Sequence, residues 1–220
     1  MKKLLITIDG PAGAGKTTVS RALADRLGYR YIDTGALYRG VALAAQVRGI
    51  DPKNDHDLKM LCSGLDLNLV QHADGLGLCL DGEDISDRIR TPEITMLASA
   101  ISAQPVVREF LLDLQKDLGK EKAAVFEGRD MGTVVFPEAD VKFFLDASPG
   151  TRARRRYAEQ KSKSSQTLDE VERDIQRRDR NDSTRDVAPL KPATDAIVID
   201  STEMKMDEVV DYMVSQIENQ

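Results

Sequence analysis

The clearest chemistry in this 220-residue chain lies in a lysine and a hydroxyl at the end of a glycine-rich run. The run is Gly10-Pro11-Ala12-Gly13-Ala14-Gly15-Lys16-Thr17. It stands directly behind the apolar stretch Leu4-Leu5-Ile6-Thr7-Ile8-Asp9 and is followed by Thr18 and an amphipathic segment. It fits G-x-x-x-x-G-K-[ST], the phosphate-binding loop between a buried strand and a helix. Glycines at 10, 13 and 15 let the backbone curl so that successive N–H groups point inward and form an anion nest. The helix beginning near Lys16 adds the positive end of its dipole. Lys16 suits the β- and γ-phosphates of a nucleotide, and the Thr17 hydroxyl suits Mg²⁺ held otherwise through phosphates and water. The run is therefore expected to form a nucleotide site.

Further charged residues suggest a second anion site. Arg39 lies among small and apolar residues in Asp33-Thr34-Gly35-Ala36-Leu37-Tyr38-Arg39. Bidentate oxyanion binding is arginine's usual task in such clefts. Glu127-Gly128-Arg129-Asp130 follows an apolar run, so Arg129 and Asp130 form a candidate substrate pair. Asp33, Arg129, Asp130 and Asp146 all fall where strands end, the edge at which open parallel sheets bind ligands. Residues 151–185 hold eleven basic side chains against seven acidic ones, in a chain whose net charge is −6. Arg152, Arg154, Arg155 and Arg156 are in this segment, with Arg178 and Arg185. A nucleotide site, an oxyanion site and an arginine-bearing flap together suggest phosphoryl transfer to a small acceptor, which is mainly positioning and charge stabilisation.

The elements that must hold these groups follow from patterning. Buried strands are expected at 4–9, 29–33, 123–126, 141–146 and 196–200, which gives an α/β chain with a parallel five-stranded sheet flanked by helices. Helix 16–27 ends at Gly28 and, with the strands before and after it, forms a βαβ unit. A helix follows with Thr34 as its N-cap and Leu37, Val41, Ala44 and Val47 on its apolar face. Alternating Leu65–Val70 and Leu76–Leu80 around His72–Gly75 read as a small antiparallel insertion, about 62–90. Helices open at Thr91-Pro92 and after Pro105, with Ser99 in the first and Arg108 early in the second. Two helices separated by Lys161–Ser165 would form a lid over about 151–185, and 205–217 is a final amphipathic helix. The expected organisation is one domain, 1–220. Its core is 1–33, 120–150 and 186–220, and its acceptor-binding part is 34–119.

Composition narrows the rest. The net negative charge argues against a general nucleic-acid binder. Cys62 and Cys79 lack metal spacing and read as buried reduced thiols, and His56 and His72 read as solvated loop residues. The apolar run after Met1-Lys2-Lys3 is too short for a signal peptide, and no run is long enough to span a membrane. A cytoplasmic monomer is expected.

The run Ile8–Lys16 together with Asp33–Arg39, Glu127–Pro137, Phe144–Ala147 and Arg185–Leu190 resembles the bacterial cytidylate kinases, over essentially the whole chain including the insertion. The resemblance implies a P-loop nucleoside monophosphate kinase that makes CDP or dCDP from CMP or dCMP and ATP, with Mg²⁺. It implies that Gly10 to Thr18 hold the ATP phosphates, that Arg39 and Arg129 hold the CMP phosphate, and that Ser99, Arg108 and Asp130 face the cytosine. Thr34 stands where the family often has serine. Arg178, Asp182 and Arg185 align with lid and sugar contacts. Lys16, Arg129 and Arg178 would act on the transferring phosphoryl group. Two alternatives remain beside this, a P-loop kinase for another small acceptor and a nucleotide-dependent switch.

Overall fold

The computed structural model describes residues 2–72, 75–160 and 166–219. Its chain divides into two units. The first is Met1–Tyr31, Glu121–Thr184 and Ala188–Gln220; the second is Ile32–Lys120 with Arg185–Val187.

The first unit is built on β1 (Leu5–Asp9), all five residues of which are buried. β-branched and apolar side chains on both faces leave this strand no solvent side, so it becomes a central strand. Parallel partners flank it. β6 (Ala124–Glu127) pairs with Ile6 opposite Val125, and β7 (Val141–Asp146) pairs with Ile6 opposite Val141. The sheet order is β2-β6-β1-β7-β8, with β2 at Arg30–Asp33 and β8 at Ile197–Asp200. Every one of the five strands ends on an acidic residue: Asp9, Asp33, Glu127, Asp146 and Asp200. The expected βαβ unit is thus corrected in one respect. β1 and β2 are not neighbours, because β6, arriving some 90 residues later in the chain, lies between them.

Helix α1 (Lys16–Leu27) packs Val19, Leu23 and Ala24 into a core with Ile6, Ile8, Val125, Phe143 and Leu145. From the other end of the chain, α8 (Met206–Glu218) adds Val209, Val210 and Met213 to the same core. Each such side chain contributes roughly 1.5–3 kcal/mol by burial. Gly28 closes α1 in the left-handed region at φ 67°, with Tyr29 N–H returning to the Ala24 carbonyl. Helices α6 (Pro149–Gln160) and α7 (Leu168–Thr184) are the two helices expected for the lid. The separating residues Lys161–Ser165 lie outside the described residues.

The second unit gathers α2 (Thr34–Val47), α3 (Asp55–Ser63), α4 (Pro92–Ile101) and α5 (Pro105–Gly119). Its core includes Leu37, Val41, Leu58, Leu61, Ile101, Val107 and Leu111. Over it lies the antiparallel sheet β3-β4-β5: Leu67–His72, Gly75–Leu80 and Glu83–Asp84. Its alternation places Leu67 and Leu78 inward, against Gly40 of α2. A Cβ on Gly40 would come within 2.8 Å of Leu78 and 2.9 Å of Leu67. The expected N-cap of α2 is also corrected. Asp33, not Thr34, takes the cap, accepting from the Ala36 N–H at 3.1 Å, and Thr34 becomes the first helical residue. A carboxylate three residues before that N–H reaches it and complements the helix dipole. Of the two thiols, Cys62 is buried, with burial pushing it up to about 11, while Cys79 is only half-buried.

Candidate active site

The glycine-rich loop takes the conformation its composition allows. Gly10, Gly13 and Gly15 all have positive φ, at 149°, 76° and 90°. Gly15 caps α1, so the first N–H groups of that helix open into the loop. Lys16 is buried, and its Nζ donates to the Pro11 carbonyl at 2.7 Å. Burial lowers it to about 7, helped by the guanidinium charges of Arg129 and Arg178 and opposed by Glu127 and Asp9. The Lys16 ammonium is therefore within electrostatic reach of both Arg129 and Arg178. Thr17 and Thr18 are exposed at the start of the helix.

Arg129 and Asp130 follow β6. The Arg129 Nε donates to Asp182 of α7 at 2.9 Å, and Asp182 is itself buried. Burial works against the Arg129 charge, but Asp182 more than offsets this and raises it above its ordinary value. Asp130 is buried, and its carbonyl starts the short π-helical turn Met131–Val135. That turn is pinned by Asp9, which accepts from the N–H groups of Met131 (2.9 Å) and Gly132 (2.8 Å).

Burial raises Asp9 to about 6, with the Asp130 charge adding and the two N–H bonds and Lys16 opposing. A carboxyl raised in the fold favours folding when protonated, below about pH 4, and that contribution is lost as pH climbs through 6. The stability of the protein relative to an Asp9→Asn variant is expected to fall by about 2 kcal/mol between pH 4 and 7. Parallel pH profiles in denaturant titrations of the two proteins would contradict this.

Sequence reasoning did not give Glu127 a role. It accepts from the Thr17 hydroxyl at 2.9 Å and from the Tyr31 hydroxyl at 2.6 Å. Its position one strand over from the loop, at the carboxyl end of β6, was the available signal. These are hard oxygen donors of the kind Mg²⁺ takes. Among the described residues no three His, Cys, Asp or Glu side chains converge on a metal by themselves. The donor set therefore fits Mg²⁺ that keeps phosphates and waters as its other ligands.

The arginines of α6 are the main surprise. They were expected on a lid, and Arg152 is only 6% exposed, bonded to Asp179 and to the backbone carbonyls of Ala147 and Ala12. Arg155 donates to the Ser201 carbonyl (2.7 Å) and hydroxyl (3.0 Å). Arg154 is exposed and donates to Thr151, and Arg156 pairs with Glu159 on its own helix. A count of charges could not separate these cases, because burial is decided by neighbours distant in sequence.

The second unit holds Thr34, Arg39, Ser99, Arg108 and Arg185. Arg39 pairs with Asp33 at 2.7 Å, and Gly35 leaves the room: a Cβ there would lie 3.0 Å from the Arg39 guanidinium. Burial opposes ionisation of Asp33, but Arg39 and the Ala36 N–H hold it below the usual carboxylate range. Arg108 lies over the Tyr38 ring, 5.7 Å from its centre. Ser102, which sequence reasoning also missed, links three of the expected residues. Its carbonyl accepts from Arg108 (3.1 Å), its hydroxyl donates to the Ser99 carbonyl (2.9 Å), and Arg185 reaches that hydroxyl at 3.4 Å. Thr34 is buried in the first turn of α2.

A five-stranded parallel sheet with a lysine-bearing phosphate loop after its central strand defines the P-loop nucleotide-binding fold. Solved structures agree at the level of fold. A shikimate kinase from Bacteroides thetaiotaomicron matches with TM-score 0.53 and 14% identity, covering 99% of each chain. A gluconokinase from Sinorhizobium meliloti matches with TM-score 0.51 and 15% identity, covering 99% of this chain and 93% of its own. The family profile described as cytidylate kinase matches residues 6–219. The cytidylate kinase of Geobacter sulfurreducens is 53% identical, over 96% of this chain and 91% of its own. Cytidylate kinase 1 of Haemophilus influenzae is 45% identical, over 98% and 94%. The chain belongs to the cytidylate kinase family, and so is a nucleoside monophosphate kinase.

Proposed function

We propose that the chain transfers the γ-phosphoryl group of ATP to CMP and dCMP, forming CDP and dCDP. The family match over nearly the whole chain carries this reading. The buried Lys16 at the end of the glycine-rich phosphate loop supports it on chemical grounds. Gly10, Pro11, Ala12, Gly13, Ala14, Gly15, Lys16, Thr17 and Thr18 hold the ATP phosphates. Thr17 is the protein's ligand to Mg²⁺, with Glu127 beside it for the hydrated ion. The metal, when bound, neutralises charge on the β- and γ-phosphates.

Lys16, Arg129 and Arg178 share the charge of the moving phosphoryl group, which is the largest service an enzyme gives this reaction. CMP engages Arg39 and Arg129 through its phosphate. Ser99, Arg108 and Asp130 engage the base, whose N4 amino group donates and whose N3 and O2 accept. Thr34, Asp182 and Arg185 complete the acceptor contacts. The acceptor oxygen is already anionic, so no general base is required. The protein works as a cytoplasmic monomer and takes no nucleic acid. Among the described residues no helix is long and apolar enough to cross a membrane.

An acceptor panel assayed with ATP and Mg²⁺ tests the reading. CMP and dCMP are expected to support ADP formation far above UMP, AMP, shikimate or gluconate, and comparable rates with all of them would refute the base assignment. Asp130→Ala is expected to raise KM for CMP at least roughly tenfold, the worth of a hydrogen bond to a charged group, with KM for ATP little changed. Equal shifts for both substrates would place Asp130 elsewhere. Arg39→Lys keeps the charge but loses the planar fork, and a similar tenfold rise in KM for CMP is expected. An unchanged KM would show that the fork is not used.

A further inference from the structure

We propose that Arg152 is a positioning residue for the ATP phosphates, acting through the Ala12 peptide with Asp179 as its counterpart; this rests on reading Gly10–Thr18 as the ATP site. The Arg152 Nε donates to the Ala147 carbonyl at 2.9 Å, just beyond the end of β7. Its Nη1 donates to the Ala12 carbonyl at 3.1 Å and also to Asp179. The other oxygen of Asp179 faces the Ala12 N–H at 3.4 Å. Both polar groups of Ala12 are thus held from outside the loop, by two side chains on different helices.

Packing repeats the arrangement. The Ala12 methyl sits in a small apolar cluster with Ala153 and, from α7, Val171 and Ile175. The backbone of Arg152 lies against the loop so closely that a Cβ on Gly13 would fall 2.8 Å from its carbonyl oxygen. A buried arginine with three acceptors costs a large desolvation unless its geometry is fixed, and here it is fixed onto loop backbone.

Function follows from what the loop must do. An anion nest binds well only if its N–H groups already converge when the ligand arrives, because ordering them during binding subtracts from affinity. Ala12 stands at the midpoint between Gly10 and Gly15, where glycine freedom is greatest on either side. Holding its N–H and carbonyl sets the direction in which the following N–H groups point.

The test uses the full chain with Arg152→Met, Arg152→Lys and Asp179→Asn. Affinities for the non-hydrolysable ATP analogue with an imido β,γ-bridge and for CMP are measured separately by calorimetry, with thermal melts alongside. Arg152→Met is expected to weaken the ATP analogue roughly 10- to 100-fold, the range for a lost hydrogen bond to a charged group, with CMP affinity within about twofold. Arg152→Lys should fall between, since an ammonium cannot span both carbonyls. Because Asp179 also acts electrostatically on Arg129, Asp179→Asn serves in combination. The double variant Arg152→Met/Asp179→Asn should be no weaker than the worse single variant, as for two members of one unit.

Unchanged analogue affinity in Arg152→Met, or equal losses for both ligands with a fall in Tm, overturns the proposal. If Arg152→Met fails to fold, Arg152→Lys decides by the same two affinities. A wild-type protein that binds no ATP analogue would instead refute the loop assignment itself.

Discussion

Replacing Lys16 by alanine is expected to cut kcat roughly 10²- to 10³-fold, the usual loss when one preorganised charge at a developing anion is removed. The expectation has a second half that separates chemistry from folding. Lys16 is buried, lies near two guanidinium groups, and is held down to about 7 against its ordinary 10.5. Such a group opposes folding, because its charge has left water for a site with other positive charges. Its ammonium donates to the Pro11 carbonyl at 2.7 Å. Lys16→Ala should therefore keep or raise Tm in the absence of nucleotide while turnover collapses. Near-normal kcat would remove the residue from the mechanism. A fall in Tm matching the fall in activity would make its role structural.

Gly10→Ala is the second large effect, and it lies on the opposite side of that division. A Cβ at Gly10 would come within 2.0 Å of the Leu145 carbonyl oxygen, and the residue has φ 149°. Leu145 is fully buried in β7, paired with Ile199 of β8, so its backbone has nowhere to withdraw. A clash between two backbones in the sheet cannot be relieved by rotating a side chain. The expected cost is at least about 4 kcal/mol, which at this chain length lowers Tm by roughly 10–15 °C or prevents folding. Gly49→Ala is the control. Its φ is also positive, at 65°, but a Cβ there meets nothing within 4 Å. That change should cost only about 1 kcal/mol. Similar Tm values for the two variants would refute the close approach of loop and strand.

Features carried by contiguous residues could be read directly from the sequence. The phosphate loop, its strand and its helix occupy 24 positions in a row, and each constraint on them is local. Strands such as Val141–Asp146 were legible because a short apolar run bounded by polar residues has few other uses. The antiparallel insertion was legible from alternation, and the family resemblance from motifs spread over the chain. Strand order was not legible, since nothing local says that Ala124–Glu127 enters between β1 and β2. The choice of Asp33 over Thr34 as cap turns on one residue of register, where both types are good caps. Arg152 and Arg155 looked like their exposed neighbours because composition does not report burial. Ser102 carried no signal: a serine at the end of a helix is ordinary until Arg108, Ser99 and Arg185 are seen around it.

The Asp33–Arg39 pair has a consequence for selectivity. In the ligand-free protein the guanidinium is already bound to a carboxylate that stays ionised. Asp33 engages one nitrogen, Nη2, while among the described residues the buried Nε has no hydrogen-bond partner, so on the proposed role of Arg39 an arriving anion meets a fork already half engaged. Weak, singly charged anions such as chloride or acetate gain little over the carboxylate already there. A phosphate dianion offers twice the charge and two oxygens to the same fork. On the proposed role of Arg39 in holding the acceptor phosphate, the internal carboxylate biases this position toward a dianion and away from small monoanions.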